Sequence, residues 1–207
     1  LCDAVLVGGV DSLCLTSLNG FESLELISRS PCKPCDSNRD GLSIGEAAAF
    51  LIVERDSKNG IRMSGFGESS DGTNMSTPPE DGAGAATAIR QALQRAGLTA
   101  WDIDYVNLHG TATVVNDAAE AQAVSSAIGA QVPASSLKGA IGHTLGAAGA
   151  AEAVLCLYAL EHGIIPGNLG LEKLDPKPLP NVAAHCRNAP LKTVVSNSFG
   201  FGCSNSA

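Results

Sequence analysis

Between residues 135 and 154 the chain reads SSLKGAIGHTLGAAGAAEAV, and its ionisable side chains are Lys138, His143 and Glu152. Everything around them is small, apolar or hydroxylic. Burying a charge is costly unless it is paired, so Lys138 and Glu152 are expected to pair. Such a pair either orders a hydrogen-bond network or simply holds structure. His143 stands at the start of TLGAAGAAEAVLCLYAL, a segment so apolar that it reads as a helix buried on every side. The positive end of a helix dipole and loss of water both disfavour imidazolium, which predicts a neutral ring donating one N–H. A neutral imidazole donor suits a developing enolate or oxyanion; a satisfied core histidine is the plain alternative for this segment alone.

A second histidine, His109, closes YVNLHGTAT. Thr111 and Thr113 follow at alternate positions, as amide-binding groups for an extended ligand arm or as ordinary turn hydroxyls. In SNSFGFG, Phe199 and Phe201 alternate with Gly200 and Gly202. The glycines leave backbone N–H groups open and the rings can shield a pocket; a glycine-rich turn with aromatic plugs is the other reading.

Positioning these groups requires strands that end at them. DAVLVGGV (3–10) and EAAAFLIVER (46–55) read as buried strands, the first suited to a parallel sheet, with a helix near 17–29 between them and a tight turn at DSKNG (56–60). A strand near 61–68 precedes a polar loop and a helix over 83–97 stopped by Gly97. A strand over 103–110 runs into His109, and a helix over 117–129 is capped by Asn116 or Asp117. A strand over 131–139 leads to Lys138, a long helix spans 144–162, and TVVSNSFGFG gives the final strand and turn. Alternating strands and helices predict an α/β fold with a mainly parallel sheet covered on both faces. Ligands in such folds lie at the carboxyl ends of strands, where His109, Lys138 and NSFGFG all fall.

Composition narrows the function classes. At 207 residues and 44% hydrophobic content the chain can build a substantial core. A formal net charge of −8 argues against nucleic-acid binding. The seven cysteines, an odd number partly set in apolar runs, imply no disulfide framework and a reducing, cytoplasmic setting. No apolar span of about 20 residues suggests a membrane segment. Cys32 and Cys35 in PCKPC have zinc-ligand spacing, but no second pair supplies the other ligands, so no metal site is expected.

Taken together, VGGVDS, CDSNRDGLSIGEAAAFLIVE, SSDGTNMSTPPEDGAGA, VNLHGTATVVNDAAEAQAV, SSLKGAIGHTLGAAGAAEAV and SNSFGFG resemble the β-ketoacyl-acyl carrier protein synthases, the elongating type most of all. The resemblance runs the whole length in order, and the trio HGTxT, KxxxxGH and SNSFGFG is its specific part. It implies a thiolase-like fold of αβαβα layers, with residues 1–55 ending the first half and 56–207 forming the second half without its last strand. It implies decarboxylative Claisen condensation of an acyl-enzyme with malonyl-carrier protein. His109 and His143 match the active-site histidines that bind the thioester oxygen, Lys138 the active-site lysine and Glu152 its partner. Phe201 matches the gating phenylalanine whose backbone N–H helps form the oxyanion hole. Thr111, Thr113, Ser76 and Thr77 match the phosphopantetheine channel, and Lys33 falls where a basic residue meets the acidic carrier protein.

The resemblance also implies a homodimer and no cofactor beyond the carrier's phosphopantetheine. The family's nucleophilic cysteine lies upstream of the strand matched by DAVLVGGV, so the chain by itself is expected to form no acyl-enzyme. A non-catalytic chain-length-factor-like subunit is the alternative that a missing nucleophile would favour. Ala112 stands where serine or glycine is usual, and Cys203 where glycine is. A cysteine there also fits thiolases, which use one as acid and base, but SNSF and KxxxxGH favour the synthases.

Overall fold

A computed structural model describes residues 2–55, 60–175, 179 and 181–207. The expected turn at 56–60 lies, but for Gly60, outside the described residues, as does the division expected between 55 and 56 on its downstream side. The amino-terminal part holds strand β1 (Ala4–Asp11), helix α1 (Leu15–Ser23) and strand β2 (Ala47–Glu54). β1 and β2 lie where the apolar runs placed them, but they pair antiparallel with each other, Leu6 opposite Ile52 and Gly8 opposite Phe50. Neither strand is buried: Leu6 is 68% exposed and Ile52 72%. Helix α1 also ends earlier than expected. Glu25 turns left-handed at φ 57°, and the backbone beyond it bonds instead to Leu42, from Leu26 O and to Ser28 N–H, each at 2.8 Å.

The rest of the chain contains strand β3 (Glu68–Ser70), helix α2 (Ala83–Ala96), strand β4 (Tyr105–Asn107) and helix α3 (Val114–Ala127). Strand β5 (Ala134–Ser135), the short helix α4 (Lys138–Ile141) and helix α5 (Ala148–His162) follow. Five short strands complete it: β6 (Ile164–Ile165), β7 (Arg187–Asn188), β8 (Val194–Ser196), β9 (Ser198–Gly200) and β10 (Ser204–Ser206). The apolar spacing of α2 puts Ala85, Ile89, Ala92 and Leu93 on its buried face. Gly97, left-handed at φ 69°, ends it by returning its N–H to Gln94 O.

The expectation of a mainly parallel sheet holds only for β5-β4-β8; the other described pairings of named strands are antiparallel. That parallel sheet is nevertheless the centre of the molecule. Tyr105, Val106 and Asn107 on β4 have no exposed surface. The largest core cluster, with Ile89, Val106, Val124 and Val195, joins the sheet to α2 and α3. Helix α5 packs against β8 and β2. The layered α/β fold expected from the sequence is therefore present.

Several finer expectations need correcting. The strand predicted over 61–68 pairs only from Gly67 onward, where Gly67 and Ala207 exchange backbone hydrogen bonds of 2.8 and 3.0 Å. The strand predicted over 131–139 is two residues long, because the Ser136 hydroxyl accepts the Lys138 N–H at 3.2 Å and turns the chain into α4. Helix α3 starts at Val114, with Thr113 rather than Asn116 or Asp117 as N-cap. Helix α5 is not buried on every side: its buried residues are Ala148, Glu152, Cys156 and Ala159, one narrow stripe, while Tyr158 is 54% exposed. The turn at Gly202 and Cys203, φ 85° and 65°, folds β10 back between β9 and β3. No helix among the described residues is long and apolar enough to cross a membrane.

Candidate active site

Strands β4, β5 and β8 run side by side, and their carboxyl ends release His109, Ser136 with Lys138, and Asn197 towards one another. His109 is 5% exposed. Its backbone N–H donates to Glu120 Oε1 and that of Gly110 to Glu120 Oε2, both at 2.8 Å. Its ring Nδ1 accepts from the Lys138 ammonium at 3.3 Å. The ammonium also forms the expected ion pair with Glu152, and both residues are 1% exposed. Burial is the main force lowering the His109 pKa well below its ordinary value, with Lys138 and then His143 adding to it.

His143 reaches the same place from another direction. Its backbone is fixed against residues 43–45: His143 N–H donates to Ser43 O at 2.7 Å, and Gly45 N–H donates to His143 O at 3.0 Å. Its Nδ1 accepts the Leu145 N–H at 3.2 Å. Burial first, and the Lys138 charge second, bring its pKa down to about 3. Both rings are therefore neutral near pH 7. With each Nδ1 occupied as an acceptor, the proton of each ring sits on Nε2. The ring centroids are 5.2 Å apart, edge to face at 84°.

Both histidines line one cavity of about 1150 Å3. Thr111, Thr113, Ser76 and Thr77 line it too, as do Phe199 and Phe201. The Phe199 ring lies 5.8 Å from that of His109, and Phe201 stacks on Phe21 at 5.8 Å. Lys33 is not among the cavity residues; it pairs with Glu172 at 3.2 Å. Cys32, buried, donates its thiol to the Lys138 carbonyl at 3.1 Å, which ties the loop before β2 to α4. Burial raises the Cys35 thiol pKa well above its ordinary value. Among the described residues no group of three or more His, Cys, Asp or Glu is placed to hold a metal ion. Cys203 lines the cavity and donates its thiol to the Asn74 carbonyl at 3.1 Å.

Glu120 was not expected from the sequence. Besides the two backbone donors it accepts from the Asn197 amide at 3.0 Å, so one carboxylate fastens β8's exit to the His109 loop. Desolvation pushes its pKa up to about 7. Asp117, three residues earlier on α3, accepts the Ala112 and Cys35 N–H groups at 3.1 and 2.8 Å. The signal for both was the one that flagged Glu152: an acid inside an alanine-rich helix, DAAEAQAV.

Residues 61–172 match the family model described as Beta-ketoacyl synthase, C-terminal domain, and residues 1–59 the one described as Beta-ketoacyl synthase, N-terminal domain. The chain is 37% identical to 3-oxoacyl-[acyl-carrier-protein] synthase 2 of Rhizobium meliloti, covering 99% of this chain and 53% of that one. A solved complex of the ketosynthase ApeO with its chain length factor ApeC from Xenorhabdus doucetiae superposes with a TM-score of 0.93 at 41% identity, over 99% of this chain and 52% of that one. A type II polyketide acyl-carrier protein bound to its ketosynthase, AntDE:AntF, gives 0.90 at 28% identity, over 99% and 55%. The chain thus spans about half the length of the relatives it matches.

Proposed function

Because this chain belongs to the β-ketoacyl synthase family, we propose that it is the carboxyl-terminal portion of a 3-oxoacyl-acyl carrier protein synthase. The whole protein is then an acyltransferase that elongates fatty acid or polyketide-like chains. The observation that carries this reading is the pair of neutral imidazoles, 5.2 Å apart on one cavity, each with Nδ1 already engaged. Two Nε2–H donors aimed at one oxygen are what an enolate needs.

In this mechanism the malonyl thioester loses CO2, and the electrons of the broken C–C bond pass into an enolate whose oxygen accepts both N–H bonds. The enolate carbon then attacks an acyl thioester held on a cysteine. A C–C bond forms, the C–S bond breaks, and the thiolate departs. Lys138 holds the His109 tautomer and Glu152 offsets the lysine's charge. The Phe201 backbone N–H serves the second oxyanion, and the Phe199 ring shields the pair. Thr111, Thr113, Ser76 and Thr77 take the amides of the phosphopantetheine arm, so no separate cofactor is required. The nucleophile belongs to the part of the relatives that this chain does not span.

The partner in this reading is an acyl carrier protein, met in part by Lys33, and the whole protein is a cytoplasmic dimer. With whole protein and malonyl-carrier protein, His109→Ala and His143→Ala are each expected to slow CO2 release by about 10²–10³-fold. Unchanged rates defeat the assignment. A whole protein that neither decarboxylates nor takes an acyl group is instead a chain-length-factor-like subunit.

A further inference from the structure

We infer that Arg39 is a positioning residue for the loop that presents Thr111 and Thr113 to the cavity, acting through Asp117 and the left-handed Ala112. The inference rests on reading that cavity as the site of the thioester arm. The Arg39 side chain is 6% exposed and lies behind the loop, away from the histidines' cavity. Its Nη1 donates to the Asp36 carbonyl at 2.8 Å and to Asp175 at 2.9 Å. Its Nη2 donates to the Val114 carbonyl, the first residue of α3, at 3.3 Å. Its Nε lies 3.6 Å from Asp117. One planar fork thus joins the loop before β2, the segment around 175 and the start of α3, a geometry that a lysine's single point charge cannot reproduce.

What Arg39 holds is a loop in a costly conformation. Ala112 has no exposed surface and φ +67°. A residue with a Cβ keeps that backbone only when its surroundings impose it. Here the restraint is the Ala112 N–H bond to Asp117, whose carboxylate is itself 3% exposed and faces Arg39. The residues on either side of Ala112 carry the two hydroxyls, 2.9 Å apart, that line the cavity. Slack in the guanidinium is therefore expected to reach both threonines through Asp117 and Ala112.

The test compares whole wild-type protein with Arg39→Lys and with Arg39→Lys/Ala112→Gly. Hydrogen exchange at the amides of 110–114 is expected to speed up in Arg39→Lys. KM for malonyl-carrier protein is expected to rise on the order of 10-fold with kcat within about 2-fold, since grip and not chemistry is lost. Adding Ala112→Gly is expected to lower KM again, because glycine adopts the left-handed backbone without being held there. The inference is overturned by unchanged exchange at 110–114, by an unchanged KM, by kcat and Tm falling while KM rises, or by absence of rescue. A wild-type protein without condensing activity brings down the proposed function instead, and the exchange measurement still decides whether Arg39 holds the loop.

Discussion

His109 and His143 end in the same protonation state by different means. The His109 loop is held by charges: Glu120 takes two of its backbone N–H groups and Lys138 takes its Nδ1. His143 itself is held by backbone groups, through Ser43, Gly45 and the Leu145 N–H, with the Asp11 carboxylate entering only three residues on, at the Gly146 N–H. A charged clamp is strong but carries titratable groups into the core. A backbone clamp carries none, but it demands residues small enough for main chains to touch. The two halves of the site should therefore fail under different perturbations.

The largest effect is expected for Lys138→Ala. It strips the His109 tautomer of its donor and leaves Glu152 buried without its cation, a loss of about 3–5 kcal/mol in stability. Denaturant unfolding measures it, and a cost near zero would show that the pair is not coupled to the fold. Glu120→Gln comes next, at about 1.5–3 kcal/mol, because the two backbone donors face different oxygens and the amide nitrogen that replaces one of them cannot accept. It is expected to disorder the His109 loop while leaving His143 resonances in place. Gly45→Ala is the mirror experiment: a Cβ there meets the Ile141 carbonyl and the Thr144 methyl, costing about 1–3 kcal/mol and moving His143 alone. If either change moved both rings equally, the division between the two clamps would be wrong.

The smallest net effect is in the pH dependence, where two opposing shifts offset each other. The unfolded chain protonates its histidines near the ordinary value of 6.5, whereas folded His143 resists to about 3, so its contribution to stability is lost as pH falls through that window. Glu120 has the opposite sign. Its pKa is raised from 4.5 to about 7, so its contribution is full below 4.5 and lost as pH rises towards 7. Between 4.5 and 6.5 the two slopes partly cancel. Glu120→Gln is expected to unmask the histidine slope, making stability fall more steeply with acid than in wild type; equal slopes would contradict it.

Lys138, His143 and Glu152 were legible because ionisable residues in an apolar run leave few structural choices. Glu120 and Asp117 carried the same signal but sat among enough polar neighbours to pass as helix surface and cap. Arg39 stood out only as one letter of CDSNRDGL, since beyond the nearby Asp36 carbonyl its acceptors lie on segments 75 and 136 residues away. The β1–β2 pairing was misread for a related reason: an apolar run announces a strand but not the direction of its partner.

The sequence by itself determined which groups needed one another: a lysine and an acid in small-residue surroundings, and a histidine kept from charging by what flanks it. Only the tertiary structure decided where they met and which nitrogen of each ring carries the proton. That depends on backbone donors and carboxylates brought from distant segments, and hydrogen-bond direction exists only once the chain has closed around them.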